Sequence, residues 1–398
     1  MSITYAPERR SRRAGFRLVL SGLALMMAGA VAPSPFYPVL QAKLGFSAAA
    51  MTGIFAIYAA AILATLLTAG SASDHLGRRP VLSAGFLLLA ASMAQFGRAE
   101  SVAALLAARV LQGVASGLLL STLTAAATDL EPADRPGSAA IWNSVTPLAG
   151  LAIGALAAGT LLDDLAAPRR LAFGALALIF LALAALVWLP AETSARQAGL
   201  LASLRPRVGV PPAARAAFRR SAPAVTAGWA TGGLYLSLGA PIVADLFGAR
   251  SELAQGAVVA LLSGTGALAC YLMRNRTARQ VTLLGTDALA LGTAATLAAL
   301  AWGSFAFYLA SVVLAGIGFG TCFFGVMRSI TPTVSTAERG ELFAALFTLS
   351  YLSFGLPALL AGIALPWLGL SGTTYAYGAA IVALAATAGA LRRFTTRD

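Results

Sequence analysis

The most specific arrangement of charge and glycine lies in a short segment between the second and third long apolar runs. Residues 70–79, called the loop motif below, read Gly-Ser-Ala-Ser-Asp-His-Leu-Gly-Arg-Arg. The first glycine permits close approach of two helices, and the second permits a tight reversal with positive φ. The aspartate can pair with an arginine or lie at the positive end of a neighbouring helix, and the arginines can hold the segment at an anionic lipid surface. The alternative is a turn that only sets membrane topology. The residues expected to have these roles in the loop motif are Gly70, Asp74, Gly77, Arg78 and Arg79.

A second motif places a charged side chain inside an apolar run. Residues 109–117, called the helix motif below, read Arg-Val-Leu-Gln-Gly-Val-Ala-Ser-Gly. An arginine at the centre of a membrane helix costs about 2.5–3.5 kcal/mol on insertion scales, so Arg109 is expected to face a cavity or a partner. Gln112 follows one turn later on the same face, and Gly113 and Gly117 form a small-residue packing stripe. The alternative is a buried arginine with a purely structural role.

Two acidic residues lie in or beside the apolar runs. Asp287 lies about two turns into its run, where a carboxylate is a functional candidate, and an ion pair with Arg279 is the alternative. Asp129 ends the run that carries the helix motif and is expected at the membrane surface.

The sequence contains no pattern typical of catalysis, ATP binding or a metal centre. The single histidine, His75, excludes a site with several histidine ligands. Cys270 and Cys322 both lie in apolar runs, so that no disulfide framework is implied. We therefore expect neither a cofactor nor an enzymatic activity.

The first apolar run leads into a proline-rich segment, residues 32–38. Prolines break a membrane helix where neighbours or water can satisfy the freed carbonyl groups, which suggests a cavity wall, although an interfacial helix stop is the alternative. Other polar and aromatic side chains at mid-span depth are also candidates for a substrate cavity, with core packing as the alternative for each. These candidates are Pro33, Tyr37, Tyr58, Asn143, Trp229, Tyr235, Phe319, Phe323 and Tyr351. The fifth run contributes further helix-packing glycines, Gly150, Gly154 and Gly159.

Composition indicates which solvent surrounds these residues. Of the 398 residues, 59% are hydrophobic and only 11% are charged, whereas a soluble domain has about 25% charged residues. So few charges cannot cover a soluble surface, and the lipid bilayer is the solvent that suits the chain. Because every backbone amide must be satisfied within its own segment in hydrocarbon, each run predicts a helix; the alternating pattern of a β-barrel is missing.

Long uncharged stretches predict twelve membrane-spanning helices. Residues 281–327 and 342–391 are each too long for one span, and natural breaks occur at residues 302–304 and 366–374. Similar charged turns recur about 200 residues apart, as expected for two six-helix repeats. We predict an all-α integral membrane fold with two pseudo-symmetric halves. The predicted units are the N-terminal half 1–195, a cytoplasmic linker 196–220 and the C-terminal half 221–398.

The basic residues predict the orientation. If the N-terminus is cytoplasmic, 22 of the 28 Lys and Arg residues lie on the cytoplasmic side and five on the other, with Arg109 inside a helix. The net charge of +13 therefore indicates topology and not nucleic-acid binding. Arg12 and Arg13, followed by an apolar run and small residues at 30–32, also resemble a twin-arginine signal peptide. The length of that run favours a retained span.

Both motifs resemble those of the major facilitator superfamily. The loop motif is similar to the family signature Gly-x-x-x-Asp-[Arg/Lys]-x-Gly-[Arg/Lys]-[Arg/Lys], and it departs from that signature at His75. The helix motif is similar to Arg-x-x-Gln-Gly-x-x-x-Gly. The resemblance implies that the loop motif acts as a conformational latch between the two halves when the cavity faces outward. It also implies that Arg109 is linked to proton coupling, so that the candidates for this role are Arg109, Gln112 and Asp287. The departure at His75 would make the latch pH-sensitive.

Other parts of the family pattern are less complete. Residues 32–38 resemble a Pro-Ser-Pro-x-Tyr-Pro segment of many bacterial members. The fifth run resembles the antiporter motif imperfectly, because Ala155 and Ala158 stand where that motif has a proline and a glycine. The first run lacks the acidic residue that many proton-coupled drug exporters carry there.

The resemblance implies a secondary active transporter of the bacterial inner membrane, with both termini cytoplasmic, similar to the drug/proton antiporter and sugar-efflux-like branches. We expect proton-coupled efflux of a small amphipathic molecule or drug by alternating access. The expected partners are this solute, protons and the lipid bilayer, with no nucleic acid, and the expected assembly is a monomer. Two alternatives stay open: a facilitator or importer of a small metabolite, and a non-transporting membrane sensor.

Overall fold

The computed structural model describes residues 5–164, 168–249, 251–335 and 338–394. Within these ranges the chain is helical and forms no strand. The long helices, numbered in chain order, are α1 (Tyr5–Val31), α2 (Ala48–Ala69), α3 (Arg78–Arg98), α4 (Val102–Asp129), α5 (Ser138–Asp164), α6 (Pro168–Leu186), α7 (Arg215–Pro241), α8 (Glu252–Leu272), α9 (Ala278–Trp302), α10 (Phe305–Ile330) and the bent helix Arg339–Phe394, whose two arms are α11 and α12. Shorter helical turns lie at Ser34–Phe36, Tyr37–Leu44, Ala72–Leu76, Leu200–Ser203, Pro212–Ala214, Ile242–Leu246, Met273–Asn275 and Thr331–Thr333.

The described part of the chain provides twelve spans. Ten helices are long and apolar enough to cross a membrane by length and composition. One of these, Arg339–Phe394, has 56 residues and is divided at Gly369, where φ is 67° and ψ is 174°. It therefore supplies two spans, α11 (residues 339–368) and α12 (residues 370–394). The twelfth is α7, which has 27 residues and carries glycine, hydroxyl and arginine side chains among its apolar ones. The observed arrangement agrees with the predicted all-α membrane fold.

Serine and threonine side chains cap the N-termini of several spans. Ser47, Ser101 and Ser304 each accept a hydrogen bond from the backbone N–H three residues later, at 3.2–3.3 Å. Thr277 and Gln280 form a reciprocal capping box at the start of α9. The first N–H groups of a helix lack partners within the helix, and these side chains satisfy some of them. The ends of these spans are thus stabilised locally by the sequence.

The predicted breaks occur near the expected positions. α1 ends at Val31, and the proline-rich segment continues as a 3₁₀ turn and a short helix, Tyr37–Leu44. α9 ends at Gly303, which is left-handed with φ of 65°. α7 begins at Arg215, six residues before the predicted start of the second half, because its first arginine-bearing turns continue the helix beyond the apolar run.

The two halves repeat one packing pattern. In the first half α1 packs on α5, α2 on α4, and α3 on both α4 and α6. In the second half α7 packs on α11, α8 on α10, and α9 on both α10 and α12. The halves meet where α2 contacts α11 and where α5 contacts α8. Helices six apart in number are equivalent in the two halves, so α8 corresponds to α2 and α11 to α5, and the two contacts are equivalent. The arrangement is therefore pseudo-two-fold, as expected of two inverted or parallel repeats.

Glycines allow the closest of these approaches. A Cβ on Gly113 would lie 2.5 Å from Ala61 Cβ, and one on Gly117 would lie 2.7 Å from Thr65 Cβ, so α4 packs directly on α2. Gly150 and Gly154 lie in the same way against the backbone of α1. Gly159 lies between the halves, where a Cβ would be 2.9 Å from the carbonyl oxygen at the start of α8. These helices pack backbone to backbone through small residues.

Candidate functional site

The guanidinium of Arg78 is the centre of the loop motif. Its Nη1 donates to Asp74 Oδ1 and to Ser73 Oγ, the latter at 2.7 Å. Its Nε donates to Asp129 Oδ2 at the end of α4, at 3.1 Å, and Thr193 Oγ1 donates to the same oxygen at 2.9 Å. The Arg78 side chain is only 13% exposed. Its charge is therefore balanced by two carboxylates of the protein, and the sequence-based interpretation that Arg78 meets anionic lipid is wrong.

The carboxylate of Glu192 caps the N-terminus of α3. Oε1 accepts the backbone N–H of Arg78 at 2.8 Å, and Oε2 accepts that of Arg79 at 3.1 Å. Oε1 also accepts the N–H groups of Thr193 and Ser194 at 2.9 and 3.0 Å. Burial alone raises the pKa of Glu192, but these four donors outweigh burial and hold that pKa below its usual range. Glu192 thus supplies the N-terminal cap that the sequence of α3 lacks.

The segment after α6 covers the remainder of the loop motif. Arg79 donates from Nε and Nη2 to the carbonyl oxygen of Pro190, so this arginine also faces protein and not lipid. The N–H of Gln197 donates to the carbonyl oxygen of Asp74 at 2.9 Å, and His75 Nδ1 lies 2.8 Å from the carbonyl oxygen of Gln197. Within the described chain, these bonds join the loop motif to the end of its own half and to the beginning of the predicted linker. In this conformation the loop motif is hydrogen-bonded to the segment after α6.

The two glycines of the loop motif have different surroundings. Gly77 has a φ of 104°, and a Cβ there would lie 2.7 Å from Glu192 Oε2, so this position takes the positive φ that the sequence suggests. Gly70 ends α2 with a φ of −60°. The atoms nearest to a Cβ on Gly70 belong to Leu66 of its own helix. Gly70 therefore does not mediate the expected approach to a second helix, because its nearest neighbour is the preceding turn of its own helix.

Arg109 of the helix motif is fully buried in a cage of aromatic rings. Its Cζ lies 5.3 Å from the ring centroid of Tyr37, 5.2 Å from Phe55, 5.1 Å from Tyr58 and 5.4 Å from Phe96. The negative faces of aromatic rings attract a cation, and the attraction strengthens when both are desolvated. The cage therefore stabilises the charge of Arg109 without neutralising it.

The break in α1 supplies hydrogen-bond acceptors to this cage. Arg109 Nη1 donates to the Ala30 carbonyl oxygen at 3.0 Å and to Gln112 Oε1 at 2.6 Å. Gln112 Nε2 in turn donates to the Gly29 carbonyl oxygen at 2.8 Å. Residues of α4 thus use two carbonyl groups near the end of α1, and Pro33 leaves one of them, that of Gly29, without its usual helical donor. Pro33 is buried in the turn after α1, and Tyr37 accepts a hydrogen bond from Arg109 Nε.

Four of the predicted cavity residues meet at the seam between the halves. Tyr58 of α2 and Tyr351 of α11 lie in one buried group. The ring of Trp229 from α7 lies 5.0 Å from that of Tyr351 and 5.7 Å from that of Phe323, measured between centroids. Phe354 joins this group 6.2 Å from Trp229. We call these residues, together with Phe347, the seam cluster.

The remaining predicted cavity residues lie elsewhere. Tyr235 is buried within the second half, and its hydroxyl lies 2.6 Å from Thr296 Oγ1. Phe319 packs at the edge of the same part of the core. Asn143 is half-buried in the first half and donates to the carbonyl oxygen of Thr124 at 3.1 Å. The structure does not bring these three residues to the seam cluster.

Asp287 forms an ion pair at the end of the bundle. Both of its carboxylate oxygens accept hydrogen bonds from Arg393 Nη2 at 2.6 Å, and the side chains are 41% and 52% exposed. The partner is thus Arg393 of α12 and not Arg279, because α9 and α12 pack side by side. An exposed, paired carboxylate is poorly placed to exchange protons with the middle of the membrane.

The two best-defined pockets are small. Their volumes are about 20 and 10 Å³, enough for about one water molecule each. One lies beside the loop motif, and the other lies between the halves, where Ser34 meets Tyr235 and Gln255. Neither of these two pockets is large enough for a substrate, and the rings of the seam cluster pack against one another in this conformation.

Three functional candidates were missed by sequence reasoning. Asp129 was expected only at the surface, and Glu192 lies in a polar segment that showed no pattern. Phe55 contributes to the Arg109 cage. A signal existed for the seam cluster, because Phe347, Tyr351 and Phe354 recur at helical spacing along one face of α11.

Comparisons with known proteins agree with this architecture. A family model described as Major Facilitator Superfamily matches residues 19–358. Over 148 residues, 37% of this chain, the sequence is 28% identical to the uncharacterized MFS-type transporter Rv1250 of Mycobacterium tuberculosis (strain ATCC 25618 / H37Rv). Over 80 residues, 20% of this chain, it is 35% identical to the multidrug resistance protein MdtL of Shewanella sp. (strain ANA-3). The matched segments span 25% and 20% of the lengths of these relatives.

Among solved structures, the human organic anion transporter MFSD10 (TETRAN) superposes with a TM-score of 0.62. The match covers 95% of this chain and 99% of that chain, at 20% sequence identity, and shows a common fold. The family model includes both the loop motif and the helix motif and extends over most of the chain. With twelve helices in two related halves, this protein therefore belongs to the Major Facilitator Superfamily.

Proposed function

We propose that this multi-pass membrane transporter exports a small amphipathic molecule by alternating access, driven by protons moving in the opposite direction. The proposed location is the bacterial inner membrane, with both termini in the cytoplasm. The proposed moving units are residues 1–195 and 221–398, joined by residues 196–220. They rock about the seam cluster and expose it first to one side of the membrane and then to the other.

The observation that carries this proposal is the seam cluster. Tyr58 comes from the first half, and Trp229 and Tyr351 come from the second. A solute that enters as the halves separate would replace contacts between these rings. Aromatic faces bury the apolar part of such a solute, while tyrosine hydroxyl and indole N–H groups provide polar contacts. The name of the relative MdtL, a multidrug resistance protein, supports export.

A facilitator or an importer of a small metabolite is the second candidate. The observation that favours it concerns the group that would carry protons. Within the described chain, Arg109 forms no ion pair with a carboxylate, and Asp287 is held by Arg393 at an exposed end of the bundle. Transport without proton coupling needs no titratable group at mid-span depth.

Proteoliposomes with an imposed pH gradient separate the two candidates. Coupled export predicts that the gradient accelerates the flux of fluorescent amphipathic probes and that an uncoupler abolishes this acceleration. Facilitation predicts equilibration at a rate that the gradient does not change. Asp74→Asn, which weakens the neutralisation of Arg78, is expected to slow flux in either case.

The role of the seam cluster is tested by Trp229→Ala. We expect flux to fall about tenfold, the effect of about 1.4 kcal/mol. The matched control is Trp302→Ala, because Trp302 is 73% exposed at the end of α9, and this change is expected to leave flux unaltered. Equal effects of the two substitutions, or flux indifferent to both Trp229→Ala and the pH gradient, would contradict coupled export through the seam cluster.

A further inference from the structure

Arg109 is the one charged side chain that is fully buried among the described residues. Its guanidinium has five N–H donors. Nε donates to Tyr37, and Nη1 donates to Ala30 and Gln112. Nη2 is buried and has no hydrogen-bond partner. The group that is most expensive to bury in a membrane protein thus retains both an unneutralised charge and unused donors.

The groups around Arg109 are all neutral. Four aromatic rings face its Cζ, and its hydrogen-bond acceptors are a phenol oxygen, an amide oxygen and a backbone carbonyl oxygen. Within the described chain no carboxylate pairs with it. A purely structural arginine at this depth would be expected to meet an acidic partner, because an unpaired buried charge is strongly destabilising. The anion that completes this site is therefore to be sought outside the chain.

The cage shares a wall with the seam cluster. Phe55 and Tyr58 both face the guanidinium. Phe55 also lies 6.5 Å from Phe354, measured between ring centroids, and Tyr58 packs in the same buried group as Tyr351. When the halves separate, the rings of the second half leave this wall. A solute in the seam cluster would then contact Phe55 and Tyr58, the same two side chains that face the Arg109 guanidinium.

We propose that Arg109 binds the acidic group of the transported solute, so that the substrate is an amphipathic organic anion. Its carboxylate or sulfonate accepts hydrogen bonds from Nη2, and its apolar part occupies the seam cluster. This inference rests on the proposed function, because it assigns a substrate class to the same site. Guanidinium is suited to this task because it stays charged and presents its donors in a planar fork that matches a carboxylate.

The test compares acids with their neutral amides on the purified protein. The probes are phenylacetate, indole-3-acetate and naphthaleneacetate, each paired with its amide and with an arylethylamine of similar size. Binding is followed by thermal stabilisation, since a ligand that binds the folded state raises its melting temperature. We expect at least one acid to bind about 10- to 100-fold more tightly than its amide, as judged from the rise in melting temperature. This is the range expected of a charge-assisted hydrogen bond.

Arg109→Gln is expected to remove the preference for the acid and to leave amide binding unchanged. Arg109→Lys keeps the charge and is expected to retain part of the preference. The control is Arg98→Gln, which removes an exposed arginine at the end of α3. If Arg109→Gln does not fold, the acid-against-amide ratio of the wild-type protein still decides, together with Arg109→Lys.

The outcomes distinguish failure of the anion site from failure of the proposed transport function. Amides or amines that bind as well as the acids overturn the anion site, while leaving transport through the seam cluster intact. An acid preference that survives in Arg109→Gln also overturns it. A panel in which no compound binds, combined with no probe flux in proteoliposomes, overturns the proposed function itself.

Discussion

Glu192 is expected to hold the loop motif closed, and Glu192→Ala tests this directly. The substitution leaves the first two N–H groups of α3, those of Arg78 and Arg79, without their carboxylate acceptor. Loss of a helix cap costs about 0.5–2 kcal/mol. Hydrogen bonds to a charged group contribute about 1.5–3 kcal/mol, but the Glu192 carboxylate is partly exposed and water replaces part of that. We therefore expect a local cost of about 1–2 kcal/mol, which corresponds to a factor of about 5–30 in an open population.

Hydrogen exchange measured by mass spectrometry reports that population. Peptides that contain residues 70–80 and 190–197 are expected to exchange about 5–30 times faster in Glu192→Ala. The matched control is Glu338→Ala, because Glu338 also bonds to a backbone N–H, that of Ser335 at 3.0 Å, but in the second half. Unchanged exchange at residues 70–80, or the same rise in both variants, would refute the role assigned to Glu192.

The pH dependence of this effect follows from the depressed pKa of Glu192. Because the pKa is lower in the folded chain, the stabilisation is complete above the ordinary glutamate value of about 4.3 and is lost as pH falls through the depressed value. The difference in exchange between wild type and Glu192→Ala is therefore expected to be equal at about pH 5.5 and about pH 7.5. A difference that shrinks on mild acidification would contradict the assignment.

Two further predictions concern packing and the surface ion pair. Gly113→Val is expected to lower the melting temperature strongly and to reduce the folded yield, because a Cβ at Gly113 would lie 2.5 Å from Ala61 Cβ. The control is Gly174→Val, which is expected to be tolerated because the space around Gly174 is open. Equal losses in the two variants would contradict direct packing of α4 on α2. Asp287→Asn is expected to cost less than about 1 kcal/mol and to leave flux unchanged, because its ion pair with Arg393 is exposed. Abolished flux in Asp287→Asn would restore this residue as a proton-coupling candidate.

Much of the fold was predictable from the sequence because the bilayer imposes local rules. Each span must satisfy its own backbone and exclude charge, so that uncharged runs mark helices one by one. The breaks at Gly303 and near Gly369 were readable for the same reason. The loop motif and the helix motif were also visible, because their glycines and charges follow fixed short spacings.

Apart from the Asp74–Arg78 pair, which joins residues only four positions apart, the partners of the charged groups were not predictable in this way. The backbone N–H of Arg78 donates to Glu192 across 114 residues, the Arg393 guanidinium donates to Asp287 across 106, and the Arg109 guanidinium donates to Tyr37 across 72. No local period records such separations. The sequence-based interpretation placed Arg78 and Arg79 against lipid, because the protein acceptors that they meet lie on distant segments of the chain.

By itself, the sequence determined that this chain crosses a membrane about twelve times in two related halves, because hydropathy and charge act residue by residue in a layered solvent. Only the tertiary structure decided that the loop motif closes on Glu192 and that Arg109 is caged by neutral rings beside the seam cluster. Those facts depend on which helices are neighbours. Helix neighbours are chosen by small-residue packing between distant segments, which apolar composition alone does not encode.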